Sequence, residues 1–131
     1  MYKRQEAYDG TTWTANCALI AGRYQLAGAG TQNAALAFGG NAGGAVACTE
    51  EYDGTTWTAG GTMNCGRSCL AGAGTQNAAL AFGGNSGVAT GDTEAYDGTT
   101  WTATTCMINA LQYLAGAGTQ NAALALSLIH I

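Results

Sequence analysis

No run in the chain approaches the ~18 apolar residues that mark a membrane-spanning helix, so neither a transmembrane segment nor a membrane partner is expected from its 131 residues. Positive charge is scarce as well: lysine and arginine together number four against eight carboxylates, and there is one histidine. Lys3, Arg4 and His130 lie near the ends, which leaves Arg23 and Arg67 as the only cations of residues 6–125 and gives that stretch, with its eight carboxylates, a net charge of −6. Neutralisation of phosphates by Lys and Arg dominates nucleic-acid affinity, so nucleic acid is not an expected partner. Catalysis is constrained too. Residues 6–125 contain no histidine or lysine, and their only serines are Ser68 and Ser86. A Ser-His-Asp or Cys-His arrangement is therefore excluded there. The cysteines form no CxxC pair, which a zinc site would want in the absence of histidine.

What the chain has instead is repetition with a period of 44 residues. "YDGTTWTA" recurs unchanged from Tyr8, Tyr52 and Tyr96, and "LAGAGTQNAALA" from Leu26, Leu70 and Leu114. The copies are residues 6–49, 50–93 and an incomplete 94–125. A fixed period of this length marks a repeat architecture whose units bury their faces only against neighbours. Cys17, Cys48, Cys65, Cys69 and Cys106 do not recur at equivalent positions. Their odd count and irregular spacing point to free thiols packed as small hydrophobes, with one bridge involving Cys65 or Cys69 left open.

The ends break the repeat. Residues 1–5, "MYKRQ", and 126–131, "LSLIHI", do not match the corresponding places of the other copies. "LSLIHI" can be encoded by CTG TCT CTT ATA CAC ATC, and "YKRQ" by TAT AAG AGA CAG on the reverse complement of that DNA. Both ends thus resemble a translated sequencing-library adapter, and residues 6–125 are expected to be a piece of something longer.

Within a copy the local signals are those of strands. Asp53-Gly54 separates two runs rich in Thr, Tyr and Trp, the Asp-Gly pattern of a type I′ hairpin. In "LAGAGTQNAALAFGG" a second hairpin is expected, with its turn at Thr75-Gln76-Asn77 and its end at Gly83-Gly84. "NAALA" competes as a helix, because alanine is the best helix former, but five residues between a turn and a glycine pair are too few for one. Four short strands per repeat is the arithmetic of a β-propeller blade. An all-β, partial β-propeller is therefore predicted, with the small residues of "LAGAG" and "AALAF" near the axis and Tyr52 and Trp57 on the outer hairpin. A β-solenoid is the alternative, but its rungs are usually shorter.

In order, Gly39-Gly40, Tyr52, Trp57, Met63 and Arg67 resemble the kelch repeat, as do Gly83-Gly84, Tyr96, Trp101 and Met107 with Leu111 in the arginine place. The first copy supplies Tyr8, Trp13, Leu19 and Arg23. The proline that usually follows the methionine is missing, as is all proline. Repeats of the "YDGT-W" and "AGAGTQ" kind are similar to those of uncharacterised kelch-like proteins of environmental bacteria and phages. The resemblance implies kelch-like four-stranded blades: an outer half-blade, two whole blades and an inner half-blade. Rings usually hold about four to eight blades, so either further repeats belong to the ring or two chains pair, the inner half-blade of one completing the outer half-blade of the other as a homodimer. Copper oxidases exist among kelch-like propellers, but their tyrosine and histidine ligands have no counterpart here, and no cofactor or metal site is expected.

Differences between copies concentrate in residues 15–25, 60–69 and 103–113, and in 41–49 against 85–93. In a kelch blade these connections emerge on one face. Binding and unconstrained drift of loops both produce such a pattern. The groups on offer are Arg23, Tyr24, Asn41, Arg67, Asn85 and Tyr113, suited to hydrogen bonding and stacking with a protein or a glycan; Arg23 and Arg67 have an alternative role as braces of the blade. The pairs Glu50-Glu51 and Asp92-Glu94 are expected to form solvated strand edges rather than the opposed carboxylates of a glycosidase. "GAGTQN" lacks the context of a phosphate loop and reads as a structural turn. The expectation is a non-enzymatic recognition scaffold; the alternative is a purely structural segment of a phage fibre or bacterial surface protein.

Overall fold

The computed structural model describes residues 4–127, so that Met1, Tyr2, Lys3 and 128–131, most of the two ends read as adapter, lie outside the described residues. The described residues contain twelve strands and no helix. Strands β1 (Gln5–Tyr8) and β2 (Trp13–Asn16) form a two-stranded sheet. Strands β3 (Ala27–Thr31), β4 (Ala34–Phe38), β5 (Thr49–Tyr52) and β6 (Trp57–Ala59) form a four-stranded antiparallel blade in sequence order. Strands β7 (Ala71–Thr75), β8 (Ala78–Phe82), β9 (Thr93–Tyr96) and β10 (Trp101–Thr104) repeat it, and β11 (Ala115–Thr119) with β12 (Ala122–Leu126) begin a third. The arrangement is a partial, blade-based, propeller-like fold. Gln5 and Leu126, both outside the repeat match, each take a place in a strand.

The alanine-rich segment is a strand because its partner is fixed by a turn. Thr75 pairs with Ala78 across the two residues Gln76 and Asn77, and the register runs on to Ala71 opposite Phe82. The outer hairpins differ from the predicted turn. Tyr52 pairs with Trp57, leaving a four-residue connection in which Gly54 alone has positive φ, 97°. A type I′ turn needs positive φ at both central residues, and Asp53 does not adopt it. The Asp53 carboxylate closes the loop instead, its Oδ1 accepting from the Thr55 and Thr56 amides at 2.8 Å. Those amides, Thr56 first, hold the Asp53 carboxyl below its ordinary value. Asp9 and Asp97 repeat the arrangement.

The core lies between blades. Phe38, 0% exposed, is covered by Trp101 of the next blade with ring centroids 5.1 Å apart, and the Trp101 indole donates to Thr49 Oγ1 at 3.0 Å. Inner strands β3, β7 and β11 lie side by side. Their glycines permit it: a Cβ on Gly72 would run into the Phe38 ring and stand 2.9 Å from the Gly28 carbonyl oxygen, and one on Gly116 would meet Gly72 O at 2.5 Å.

Invariant polar side chains link the same boundary. Gln76 Nε2 reaches back to the carbonyls of Ala35 and Tyr52 at 3.0 and 2.7 Å, and Gln120 does the same to Ala79 and Tyr96. This is what the glutamine of "GAGTQN" does. The tyrosines are less uniform. Tyr96 Oη donates to Glu51 of the preceding blade at 2.6 Å and accepts from the Gly61 amide, and its pKa is pushed up to about 12, by burial first and then by that carboxylate. The equivalent Tyr52 Oη is buried without a partner, because the place of Glu51 is held by Ala7 and the Cys17 amide turns instead to Asn16 Oδ1.

Two outcomes follow from these contacts. Gly72→Ala is expected to destabilise by about 1–3 kcal/mol through overpacking, whereas Gly28→Ala, whose Cβ would meet only the Leu36 carbonyl at 3.2 Å, costs less; equal losses in urea unfolding would contradict the proposed spacing. Ala7→Glu supplies the missing acceptor to Tyr52 and is expected to raise stability by about 1 kcal/mol, seen as a higher urea midpoint at unchanged slope.

Candidate functional face

Antiparallel order sorts the connections onto two faces. The invariant turns, Gln32-Asn33 and Gln76-Asn77 with the four-residue Asp53 and Asp97 loops, share one end of the strands. The connections between β4 and β5, between β8 and β9, and from each blade to the next emerge at the other. All the differing segments therefore lie on a single face.

That face is built upward from a buried ion pair. Arg67, 0% exposed, donates through Nη2 to Glu94 Oε2 at 3.0 Å and through Nη1 to the carbonyls of Gly83 and Asp92. Arg23 repeats the pattern with Glu50, Gly39, Cys48 and Ala37. The second carboxylate oxygen of each glutamate accepts an amide of the incoming linker, Ile20 to Glu50 at 2.6 Å and Asn64 to Glu94 at 2.7 Å. One carboxylate thus clips the linker onto the blade it enters, while the arginine ties the connection between the second and third strands. Burial lowers the pKa of Arg23 and the Glu50 charge opposes that.

The double glycine finishes this joint. Gly39 and Gly40 both have positive φ, 69° and 109°, and a Cβ on either would meet backbone within 3 Å, at Arg67 O and Tyr24 O respectively. Free of side chains, the Gly40 amide donates to Arg67 O at 2.9 Å, and Gly84 does likewise to Leu111 O at 2.7 Å.

Above it runs a row of residues with left-handed backbone, one per blade: Gln25, Cys69 and Tyr113, with φ of 57°, 57° and 56°. The Cys69 amide donates to Gln25 O and the Tyr113 amide to Cys69 O, each at 2.9 Å. The neighbouring Cys69 is the first cause of the raised pKa of the Tyr113 phenol. Non-glycine residues in this conformation cost about 1–3 kcal/mol each. The blade-to-blade ladder helps to offset that strain.

The six candidate residues separate accordingly. Arg23 and Arg67 are buried frame, which corrects their place among ligand-contacting groups: every Nη is directed at protein acceptors and neither side chain reaches the surface. Tyr24 and Tyr113 are exposed, 50% and 71%. Asn41 and Asn85 are half-buried and shape their loops, Asn41 Oδ1 accepting from Gly43 and Gly44 and Asn85 Oδ1 from Gly87. The structure brings Tyr24 and Asn41 together through paired backbone hydrogen bonds of 3.1 and 2.8 Å. Asn85 meets Gln112, the neighbour of Tyr113, at 2.8 Å. Ile20, Val88 and Ile108 were missed by sequence reasoning; all are exposed, at 54%, 74% and 100%, on loops of this face. The available signal was an aliphatic residue inside a segment that differs between copies.

The carboxylate pairs are corrected as well. Glu50 and Glu94 are buried in ion pairs rather than solvated. All five cysteines are free thiols, but only Cys69 packs as a buried hydrophobe; Cys65 is half-buried and Cys17, Cys48 and Cys106 are exposed. Among the described residues no three of His, Cys, Asp and Glu gather into a metal-binding group.

No protein-family model and no curated protein matches the chain. The likeness between its own copies is what assigns roles. A side chain repeated with its contacts belongs to the frame.

Removal of Arg67 is expected to be severe. Arg67→Ala leaves Glu94 buried without its cation, a loss of about 3–5 kcal/mol, and Arg67→Lys does not restore it, because one ammonium cannot present the planar fork that spans Gly83, Asp92 and Glu94. Chemical denaturation of both variants checks this. A lysine variant as stable as the parent would mean that charge alone, not the fork, holds the joint.

Proposed function

We propose that the chain is a non-catalytic recognition scaffold, part of a kelch-like propeller, that presents one variable face to a partner. The observation that carries this reading is the division between faces. One bears the invariant turns and glutamine clamps; the other bears every segment that differs, together with the exposed Ile20, Tyr24, Val88, Ile108 and Tyr113. Loops that only drift need not collect large apolar groups in water, whereas binding surfaces do.

The composition of the face favours a polypeptide. Three aliphatic side chains gain little against a sugar's hydroxyl groups, while tyrosine and asparagine suit either a protein or a glycan. The acidic charge of the whole chain favours a neutral or basic partner.

The test is a screen of the protein against a displayed peptide library and a glycan array, repeated with Tyr24→Ser/Tyr113→Asn. Asparagine is chosen because it tolerates left-handed backbone. Peptide capture is expected to weaken at least tenfold in the double variant at an unchanged melting temperature. Equal capture by parent and variant would remove this face from the function, and capture of glycans alone would replace the polypeptide as ligand.

A further inference from the structure

Three charged residues fall in the segments that differ between copies: Arg23, Arg67 and Asp92. The arginines are buried and paired with Glu50 and Glu94. Among the described residues Asp92 has no cation beside it. The contact of its carboxylate is the Cys106 thiol, 3.9 Å from Oδ1 and a weak donor. Nor does the frame use that carboxylate. The Asp92 main-chain carbonyl accepts from the Arg67 guanidinium and the Gly83 amide, and in the preceding blade the Cys48 carbonyl accepts from Arg23 and Gly39 in the same way, with a thiol for a side chain. Asp92 is half-buried, so its charge is held partly out of water with neither a partner nor a structural duty.

That carboxylate lines a pocket of about 190 Å³, together with Asn64, Cys65, Thr93, Ala103 and Cys106 among others. Its walls come from residues 64–106, in the linker that enters the blade, the blade itself and the linker that leaves it. Glu94 is also in the wall, but both its oxygens are spent. Oε1 accepts the main-chain and side-chain amides of Asn64 at 2.7 and 2.9 Å, and Oε2 accepts from Arg67 at 3.0 Å. Asp92 is the acidic group left over, and most of the remaining lining is thiol, methyl and hydroxyl.

We propose that this pocket receives a lysine side chain of the polypeptide partner, an inference that rests on the recognition reading above. An ammonium is a compact point charge that a single carboxylate can answer, whereas a guanidinium is matched by paired acceptors in its plane. With Glu94 committed, the pocket offers one. The lysine stem packs along apolar surface while its head stays polar, and Ala103, the Thr93 methyl and the thiols of Cys65 and Cys106 supply that surface. The place of Asp92 in the preceding copy is Cys48, so the charge belongs to one blade. A face built from near-identical blades would otherwise accept a partner in more than one register, and a single charged pocket selects one of them.

The experiment titrates the full chain, Asp92→Asn and Ala103→Leu against displayed random peptides whose central position is fixed as Lys, Arg, Gln or Glu. The parent is expected to capture the lysine set at least tenfold more tightly than the glutamine set. Asp92→Asn removes the charge and Ala103→Leu fills the space, and each is expected to bring the two sets to within about twofold while capture of the glutamine set stays as it was. Asp92→Asn keeps the main-chain carbonyl that the joint uses, so an unchanged melting temperature separates a lost site from a lost fold. Equal capture of all four sets by the parent, or a lysine preference that survives either substitution, overturns the pocket and leaves the recognition reading standing. A preference for arginine overturns the assignment to lysine. Capture of no set by the parent overturns both the pocket and the reading beneath it.

Discussion

The closeness with which the inner strands of neighbouring blades approach governs the rest of the fold. Gly72 faces both the Gly28 backbone and the Phe38 ring at distances that leave no room for a methyl group, and Gly116 stands in the same relation to Gly72 and Phe82. Strands this near cannot carry large side chains toward each other. The apolar volume is supplied farther out, where Phe38 meets Trp101 and Trp101 stacks at 4.7 Å on Tyr96. Each blade thus obtains its core from the next. A single blade has little of its own, which is the general condition of repeat architectures and the reason the hairpins recur almost unaltered.

Close approach also creates a polar problem, since backbone groups withdrawn from water at the blade boundary need partners. The solutions repeat. Gln76 and Gln120 of the inner turns each occupy two carbonyls of the preceding blade and Gln32 occupies one, the second glycine of each pair donates to the next linker, and the left-handed residues Gln25, Cys69 and Tyr113 pass a hydrogen bond from blade to blade. The last device uses the main chain only. Its side chain is consequently free to vary, and glutamine, cysteine and tyrosine share one conformation.

Much of this was legible in the sequence. The period, the small-residue inner strands and the large residues of the outer hairpin follow from spacing and size, the division into half-blade, two blades and half-blade was implied by the resemblance to the kelch repeat, and the strands lie where those signals put them. The turn at Asp53 was misjudged because the Asp-Gly pair was taken as the whole loop; the carboxylate and two following threonine amides make a longer one. The arginines and their glutamates are 27 residues apart, a separation with no local periodicity, so that nothing in the sequence alone distinguishes a buried pair from surface charges. The free cysteines were expected inside because cysteine is usually buried; three of them lie on connections between strands, where exposure is set by the loop.

These joints explain how one face can be held in place and still differ from copy to copy. The loops there are fixed at their bases by groups that do not depend on the residues at their tips: an arginine beneath, a carboxylate gripping the incoming linker amide, and a glycine pair that turns the chain. Ile20 and Asn64 give the same backbone hydrogen bond to a glutamate although their side chains differ, and only Asn64 adds its side-chain amide, to Glu94 Oε1 and the Trp101 carbonyl. Where the amide carries the structural duty, the side chain is released from it. The opposite face has no such freedom, because there the side chains of aspartate and glutamine are themselves the fasteners. Anchoring on both faces with sequence freedom on one follows from which atoms do the holding.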